Sequence, residues 1–158
     1  MTLLLTKPKN FNPKFEVVSC FLQYQNEFLL LLRQNHKNQG NTYGVPAGKI
    51  DQWETPLQAM IRELSEETGI ILSPEQQQYL TYFKKVYPIH SGYEFIYHMY
   101  HLDGEKIFPT KPNLTINPNE HKEYIRITPS QAINKSLVPD LDTCIKLYYD
   151  IPLSTNSN

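Results

Sequence analysis

Residues 48–70 read Gly48-Lys49-Ile50-Asp51-Gln52-Trp53-Glu54-Thr55-Pro56-Leu57-Gln58-Ala59-Met60-Ile61-Arg62-Glu63-Leu64-Ser65-Glu66-Glu67-Thr68-Gly69-Ile70. Their local chemistry predicts a loop feeding one helix. Thr55 suits the N-cap, Pro56 the first helical position, where a missing N–H costs nothing, and Gln58 completes a Thr-x-x-Gln capping box. Gly69 suits a left-handed stop. With helical periodicity, Leu57, Met60, Ile61, Leu64 and Thr68 share one side, and Glu63, Glu66 and Glu67 share a neighbouring one. Carboxylates three and four positions apart repel each other, more strongly once desolvated. A hard divalent cation would compensate, because Mg2+ prefers carboxylate and carbonyl oxygens together with water and phosphate.

Out of context, Arg62-Glu63-Leu64-Ser65-Glu66-Glu67 is the solvated face of a helix. The whole stretch, however, matches the pattern G-x5-E-x7-R-E-U-x-E-E-x-G-U, with U aliphatic, at every fixed position. It thereby resembles the signature of the Nudix hydrolase family, the MutT-like proteins. The resemblance implies an α/β fold, the Nudix α/β/α sandwich with a mixed β-sheet between helices, extending from about residue 15 to 149. It implies a Mg2+-dependent pyrophosphohydrolase, with Mn2+ as a substitute ion, that cleaves a phosphoanhydride bond in a nucleoside diphosphate linked to another moiety.

Residue by residue, the resemblance makes Glu66 and Glu67 the main metal ligands, joined by the backbone carbonyl of Ala47. Glu63 becomes a further ligand or the base that orients the attacking water, and Arg62 holds the glutamates through charge-assisted bonds. Glu54 supports the loop or a second ion, while Gly48 and Gly69 are structural. Relatives often present a late acidic residue or histidine across the pocket, here Glu120 and His121, although a Glu-His pair at a strand start is otherwise unremarkable. Two positions depart from the commonest family pattern, since many relatives have glycine where Ala47 and Trp53 stand. A main-chain ligand tolerates alanine; Trp53 either caps the site or packs.

The 158 residues fit one domain with a sizeable core. The expected division is an N-terminal arm at 1–14, the domain at 15–150 and a flexible tail at 151–158. A net charge of −1 provides no global basic field, so nucleic acid is not an expected partner. Cys20 and Cys144 stand in no metal-ligand spacing and read as buried free thiols, which suits a reducing, cytoplasmic setting. The opening apolar run is too short for a signal peptide, and nothing later approaches a membrane span. Family precedent also admits a homodimer.

Around the motif, Phe15–Tyr24 and Phe28–Arg33 read as a hairpin whose second strand is continuously apolar and therefore central. Arg33 is either a surface charge or a bidentate partner for phosphate. Tyr43-Gly44-Val45-Pro46-Ala47-Gly48 reads as a short strand entering a tight turn. Ser73-Pro74-Glu75 begins a short turn, and Tyr82–Tyr87 and Tyr93–Leu102 read as strands around a turn at 88–92. His90, His98 and His101 fit no common zinc spacing and read as structural or solvent-facing. The loop-like 103–119 suggests function or mobility rather than core. Glu120–Ile127 forms another strand, Thr128-Pro129-Ser130-Gln131 a second capping box, and Pro139-Asp140 opens a helix with Leu141, Cys144, Ile145, Leu147 and Tyr148 facing inward.

The favoured substrate is a nucleoside triphosphate or related small nucleotide, including an oxidised one, with its base stacked on Tyr43, Tyr82 or Tyr97. Tyr87, 17 positions after Ile70, resembles the tyrosine placement of dinucleoside polyphosphate hydrolases. Dinucleoside polyphosphate, ADP-ribose and sugar-nucleotide hydrolysis are the alternatives. A non-catalytic nucleotide-binding regulatory module is the alternative of another class, and it would not need the complete acidic set. An RNA 5' end would need a basic groove, which Lys84 and Lys85 alone do not make.

Overall fold

The computed structural model describes residues 2–90 and 93–153. Its strands are Thr2–Leu4 (β1), Phe15–Tyr24 (β2), Glu27–Arg33 (β3), Tyr43–Gly44 (β4), Ala47–Lys49 (β5), Leu80–His90 (β6), Tyr93–Asp103 (β7) and His121–Ile127 (β8). Its helices are Pro56–Thr68 (α1), Pro129–Ala132 (α2) and Leu141–Tyr148 (α3).

The hairpin of β2 and β3 pairs only beside its turn, at Gln23 with Phe28 and Tyr24 with Glu27. Beyond that the two strands diverge, and 43–49 fills the fork. β4 pairs with β3 through Leu31–Gly44 and Leu32–Tyr43, while β5 pairs with β2 through Val17–Lys49, Val18–Gly48 and Ser19–Ala47. The Pro46 carbonyl between them accepts from the Cys20 N–H at 3.0 Å. On its other edge β2 runs parallel to β7, from Phe15–Phe95 to Gln23–Asp103, and β6 and β1 extend that wing. β8 completes the opposite wing beside β3. With partners on both edges, β2 and β3 read as apolar runs, buried over Val18–Leu22 and Phe28–Leu31.

Each sheet face is then covered. Val18, Cys20, Leu22, Leu29, Leu31 and Leu102 pack against Ala59, Met60 and Leu64 of α1. Phe21, Phe28, Leu30, Met99 and Ile127 pack against Leu141, Cys144 and Ile145 of α3 on the other face. This is the expected α/β/α sandwich. The arm at 1–14 contributes β1 as an antiparallel edge strand on β6. No helix among the described residues is long and apolar enough to cross a membrane. Both cysteines are buried thiols, and burial pushes Cys144 up to about 12 and Cys20 higher still.

Helix α1 has the predicted ends. Thr55 Oγ1 accepts from Gln58 N at 3.1 Å, Gln58 Oε1 accepts from Thr55 N at 2.9 Å, and Gly69 closes the helix at φ 76°. Its buried face differs from the expected one. Leu57 is 39% exposed, whereas the buried positions are Ala59, Met60, Glu63, Leu64, Glu67 and Thr68. These recur as adjacent pairs every four residues, so Glu63 and Glu67 belong to the core-facing arc and do not flank it.

Other expectations are corrected. The 103–119 segment is built into the core margin: Ile107, Phe108, Leu114 and Ile116 pack on the α1-side cluster, and Thr115 N donates to the Thr68 carbonyl at 3.0 Å. β6 continues through Pro88 to His90, paired with β1, where a turn was expected; residues 91–92 lie outside the described residues. Thr128 makes no side-chain cap bond, and α2 is a single turn. Leu147 and Tyr148 are half-buried, and the expected tail residues 154–158 also lie outside the described residues.

The rotation of the α1 core face has a direct check in urea unfolding. Leu64→Ala is expected to lower stability by about 3 kcal/mol, whereas Leu57→Ala is expected to cost less than about 1 kcal/mol.

Candidate active site

The fork between β2 and β3 brings the backbone of 47–48 against α1. A Cβ at Gly48 would lie 2.1 Å from the Glu63 carboxyl carbon and Oε1, so the missing side chain is the space in which that carboxylate sits. Ala47 N donates to Glu67 Oε2 at 3.0 Å, one turn further along the helix. Glu63 is 8% exposed and Glu67 5%.

Arg62 joins the acidic residues around the motif. Its Nε donates to Glu54 Oε2 at 2.7 Å and Nη2 to Glu54 Oε1 at 2.9 Å, a bidentate pair. Nη1 donates to Glu63 Oε1 at 2.8 Å and reaches Glu66 at 3.3 Å, while Nη2 also donates to the Lys49 carbonyl at 3.0 Å. The Arg62 hydrogen bonds hold Glu54 below the usual carboxylate range. Glu54 in turn accepts from Asp51 N at 2.9 Å, which shapes the loop. Burial pushes Glu63 up against the opposing influence of Arg62. Burial and the neighbouring Glu63 push Glu67 well above its ordinary value, with the Ala47 N–H acting the other way.

Among the described residues, no three His, Cys, Asp or Glu groups converge as a ready-made metal-binding set. Glu63 and Glu66 turn toward Arg62. The donor chemistry nevertheless fits a hard divalent ion: Glu67 is a buried carboxylate with one N–H partner and two acidic neighbours, Glu63 and Glu120. An added positive charge at that point would relieve both desolvation and like-charge repulsion.

Glu67 and Ala47 line a cleft of about 280 Å³ that also meets Arg33 and His121. Arg33 sits where the pairing of β3 with β8 shifts register, opposite His121, and its Nε donates to the Asn38 carbonyl at 2.8 Å. His121 is buried, and its Nδ1 has no hydrogen-bond partner among the described residues. Burial lowers its pKa, which leaves a neutral imidazole at neutral pH. Glu63, Glu66 and Glu120 are not in the cleft wall; Glu120 acts on Glu63 and Glu67 through its charge.

Of the four tyrosines singled out from the sequence, only Tyr97 lines the cleft. A bulge between Tyr82 and Lys84 sets Tyr82 opposite Tyr100, on the α1 face, with its hydroxyl 2.8 Å from His98 Nδ1. Tyr87 packs edge-on to Phe11, and the Tyr43 hydroxyl donates to Glu123 Oε1 at 3.0 Å. Sequence reading missed the aromatic and polar lining supplied by Phe15, Phe95, His90 and Asp140. Phe95 also shares, at a spacing of two, the strand face of Tyr93 and Tyr97, which line the cleft.

Trp53 neither caps nor packs. It is 92% exposed and holds φ 72°, a left-handed conformation that glycine adopts freely and tryptophan does not.

A NUDIX domain model matches residues 13–148. The chain belongs to this family. It is 36% identical over 64 residues to the 8-oxo-dGDP phosphatase NUDT18 of Homo sapiens, an alignment covering 40% of this chain and 20% of that protein. The chain therefore spans about a fifth of the length of this relative. It is 25% identical over 126 residues to the CTP pyrophosphohydrolase of Escherichia coli strain K12, covering 78% of this chain and 83% of that one. Among solved structures it is similar to a bifunctional NMN adenylyltransferase/ADP ribose pyrophosphatase from Francisella tularensis, complexed with AMP and an Mn ion. The TM-score is 0.72 at 23% identity, with 89% of this chain and 42% of that chain covered. That likeness is one of fold. Nudix hydrolases generally use divalent metals.

Trp53→Gly tests the reading of the loop. Truncating a packed tryptophan costs about 3–5 kcal/mol, whereas here the unfolding free energy is expected to stay within about 1 kcal/mol of wild type, because strain is relieved as flexibility is added.

Proposed function

We propose that the chain is a Mg2+-dependent pyrophosphohydrolase, with Mn2+ as a substitute, acting on a nucleoside triphosphate or related small nucleotide. The observation that carries this is the lining of one cleft by Glu67, Ala47, Arg33 and His121 at one end and by aromatic side chains at the other. The first group suits a polyphosphate with its cation, the second a planar base. The names of the 8-oxo-dGDP phosphatase and the CTP pyrophosphohydrolase are both nucleotide names, which supports the same substrate class. Buried, unpaired thiols suit a reducing cytoplasm, and a homodimer is compatible with the reading.

When bound through Glu67, Glu66, Glu63 and the Ala47 carbonyl, the cation would neutralise phosphate oxygens and lower the pKa of a coordinated water. The chain's own contributions follow from its hydrogen bonds. Ala47 N–H fixes one oxygen of Glu67, leaving the other as a ligand. Arg62 engages Oε1 of Glu63, so Oε2 is the atom to accept the proton of an attacking water. Asn38 holds Arg33 by Nε, which leaves both terminal nitrogens for two oxygens of one phosphate. Neutral His121 offers its unpartnered Nδ1 to a phosphate or to the leaving group.

Chromatographic product analysis with Mg2+ and a panel of nucleoside triphosphates, an oxidised guanine triphosphate, ADP-ribose, sugar nucleotides and diadenosine tetraphosphate tests the reading. Turnover of a triphosphate is expected, is abolished by chelation, and falls at least about 100-fold in Glu67→Gln and Glu63→Gln. Failure to turn over any triphosphate, or unchanged turnover in Glu67→Gln, would contradict it.

Gly48→Ala separates positioning from folding. The collision is with the far end of a flexible side chain, so stability is expected to change by less than about 1 kcal/mol, while turnover drops at least about tenfold as Glu63 is displaced.

A further inference from the structure

β8 departs from regular pairing at one residue. Leu32 is paired with Glu123 and Arg33 with His121, so Lys122 is an extra residue of β8 with no partner on β3. A bulge of this kind re-aims the side chain it carries. Lys122 Nζ donates to Asn35 Oδ1 at 2.6 Å and also to Asn41 Oδ1. It thereby bridges the two arms of the loop 34–42, which leaves β3 and returns to β4. Both acceptors are neutral amides, so these bonds supply position and not charge neutralisation.

The bridged loop is folded tightly on itself. Gln39 and Asn41 hold φ 59°, a left-handed backbone that is costly for residues with side chains. Between them, a Cβ on Gly40 would fall 2.6 Å from the Asn35 carbonyl oxygen and 2.8 Å from that of Gln34. Such a conformation persists only where the surrounding structure fixes it. The consequence falls on Arg33. Its N–H donates to the Thr42 carbonyl at 3.0 Å, and its own carbonyl accepts from Asn41 N at 3.1 Å, so the loop closes on this residue. Its Nε donates to the Asn38 carbonyl, inside the loop, at 2.8 Å. Arg33, Asn38 and Gln39 line the cleft together. Where the loop holds Asn38 therefore sets where the guanidinium points.

We infer that Lys122 is a positioning residue for phosphate binding: by bridging Asn35 and Asn41 it fixes the loop whose Asn38 carbonyl aims the Arg33 guanidinium into the cleft. The inference rests on Arg33 as the phosphate ligand of the proposed function. A bidentate contact needs both terminal nitrogens aligned with the phosphate oxygens, so a shift of Asn38 weakens it more than it would weaken a point charge. Loss of Lys122 then acts through Arg33. Loss of a positive charge alone would act on the phosphate directly, whether or not Arg33 is present.

The test is calorimetric titration with inorganic tripolyphosphate, in Mg2+ and at constant ionic strength, across the double-mutant cycle of Lys122→Gln and Arg33→Ala. With Arg33 present, Lys122→Gln is expected to lower the affinity at least about fivefold, and in the Arg33→Ala background less than about twofold. Asn35→Ala, which removes one acceptor and no charge, is expected to lower the affinity in the same direction, and Lys122→Arg to retain most of it. Melting temperatures are expected to stay close to wild type, because no residue of 34–42 is buried in the core. Equal losses with and without Arg33, or no loss in Lys122→Gln, overturn the assignment alone. A wild type that binds no tripolyphosphate, or an Arg33→Ala variant that binds it as tightly, contradicts the phosphate role of Arg33 and overturns the assignment with it.

Discussion

Two carboxylates on the core-facing arc of α1 are the constraint around which this molecule is arranged. Glu63 and Glu67 alternate with Met60 and Leu64 in a helix face that packs on the sheet. Burying an ionised carboxylate without compensation costs several kcal/mol. Arg62 compensates Glu63 but donates nothing to Glu67, whose single hydrogen-bond partner among the described residues is the Ala47 N–H. The helix thus places negative charge where the fold alone does not neutralise it. Arg33 offsets part of that charge, and on the proposed reading a divalent cation would offset the rest.

The fork in the sheet follows from the same constraint. Had β2 and β3 stayed paired along their length, no backbone N–H would face α1 at this point, since the ladder would consume it. Their divergence admits 43–49, which pairs with both strands and still presents Ala47 N to Glu67 and an unsubstituted Cα to Glu63. The fork also connects the two faces of the sheet. Glu67 rises from the α1 layer yet lines a cleft on the α3 side, together with Arg33, His121 and the aromatic wall of β7. One cleft accordingly has charged residues and the motif backbone at one end and aromatic side chains at the other.

Local signals were legible in the sequence: the Thr55–Gln58 cap, the Gly69 stop, the apolar strands and the motif that joins them. Helical periodicity also grouped Glu63, Glu66 and Glu67, but the arc of burial was misplaced by one position because Leu57 outweighed the small Ala59, and a fully buried alanine carries little hydrophobic signal. Tyr82 lies away from this cleft for a different reason. Alternation along β6 fails at the bulge near Tyr82, where one extra residue exchanges the faces, and such a bulge leaves no compositional mark. Asp140 looked like an ordinary helix start; its left-handed backbone and unpartnered oxygen leave no mark in the sequence.

The most direct test of the central claim is divalent-ion binding by the protein alone, measured as Mn2+ titration by electron paramagnetic resonance in wild type and Glu67→Gln, with melting temperatures recorded alongside. The account predicts saturable binding that raises the wild-type melting temperature, and loss of both effects in a variant that remains folded and is no less stable without metal. Equal Mn2+ affinity in the two proteins, or a folded wild type that binds no ion, would contradict it.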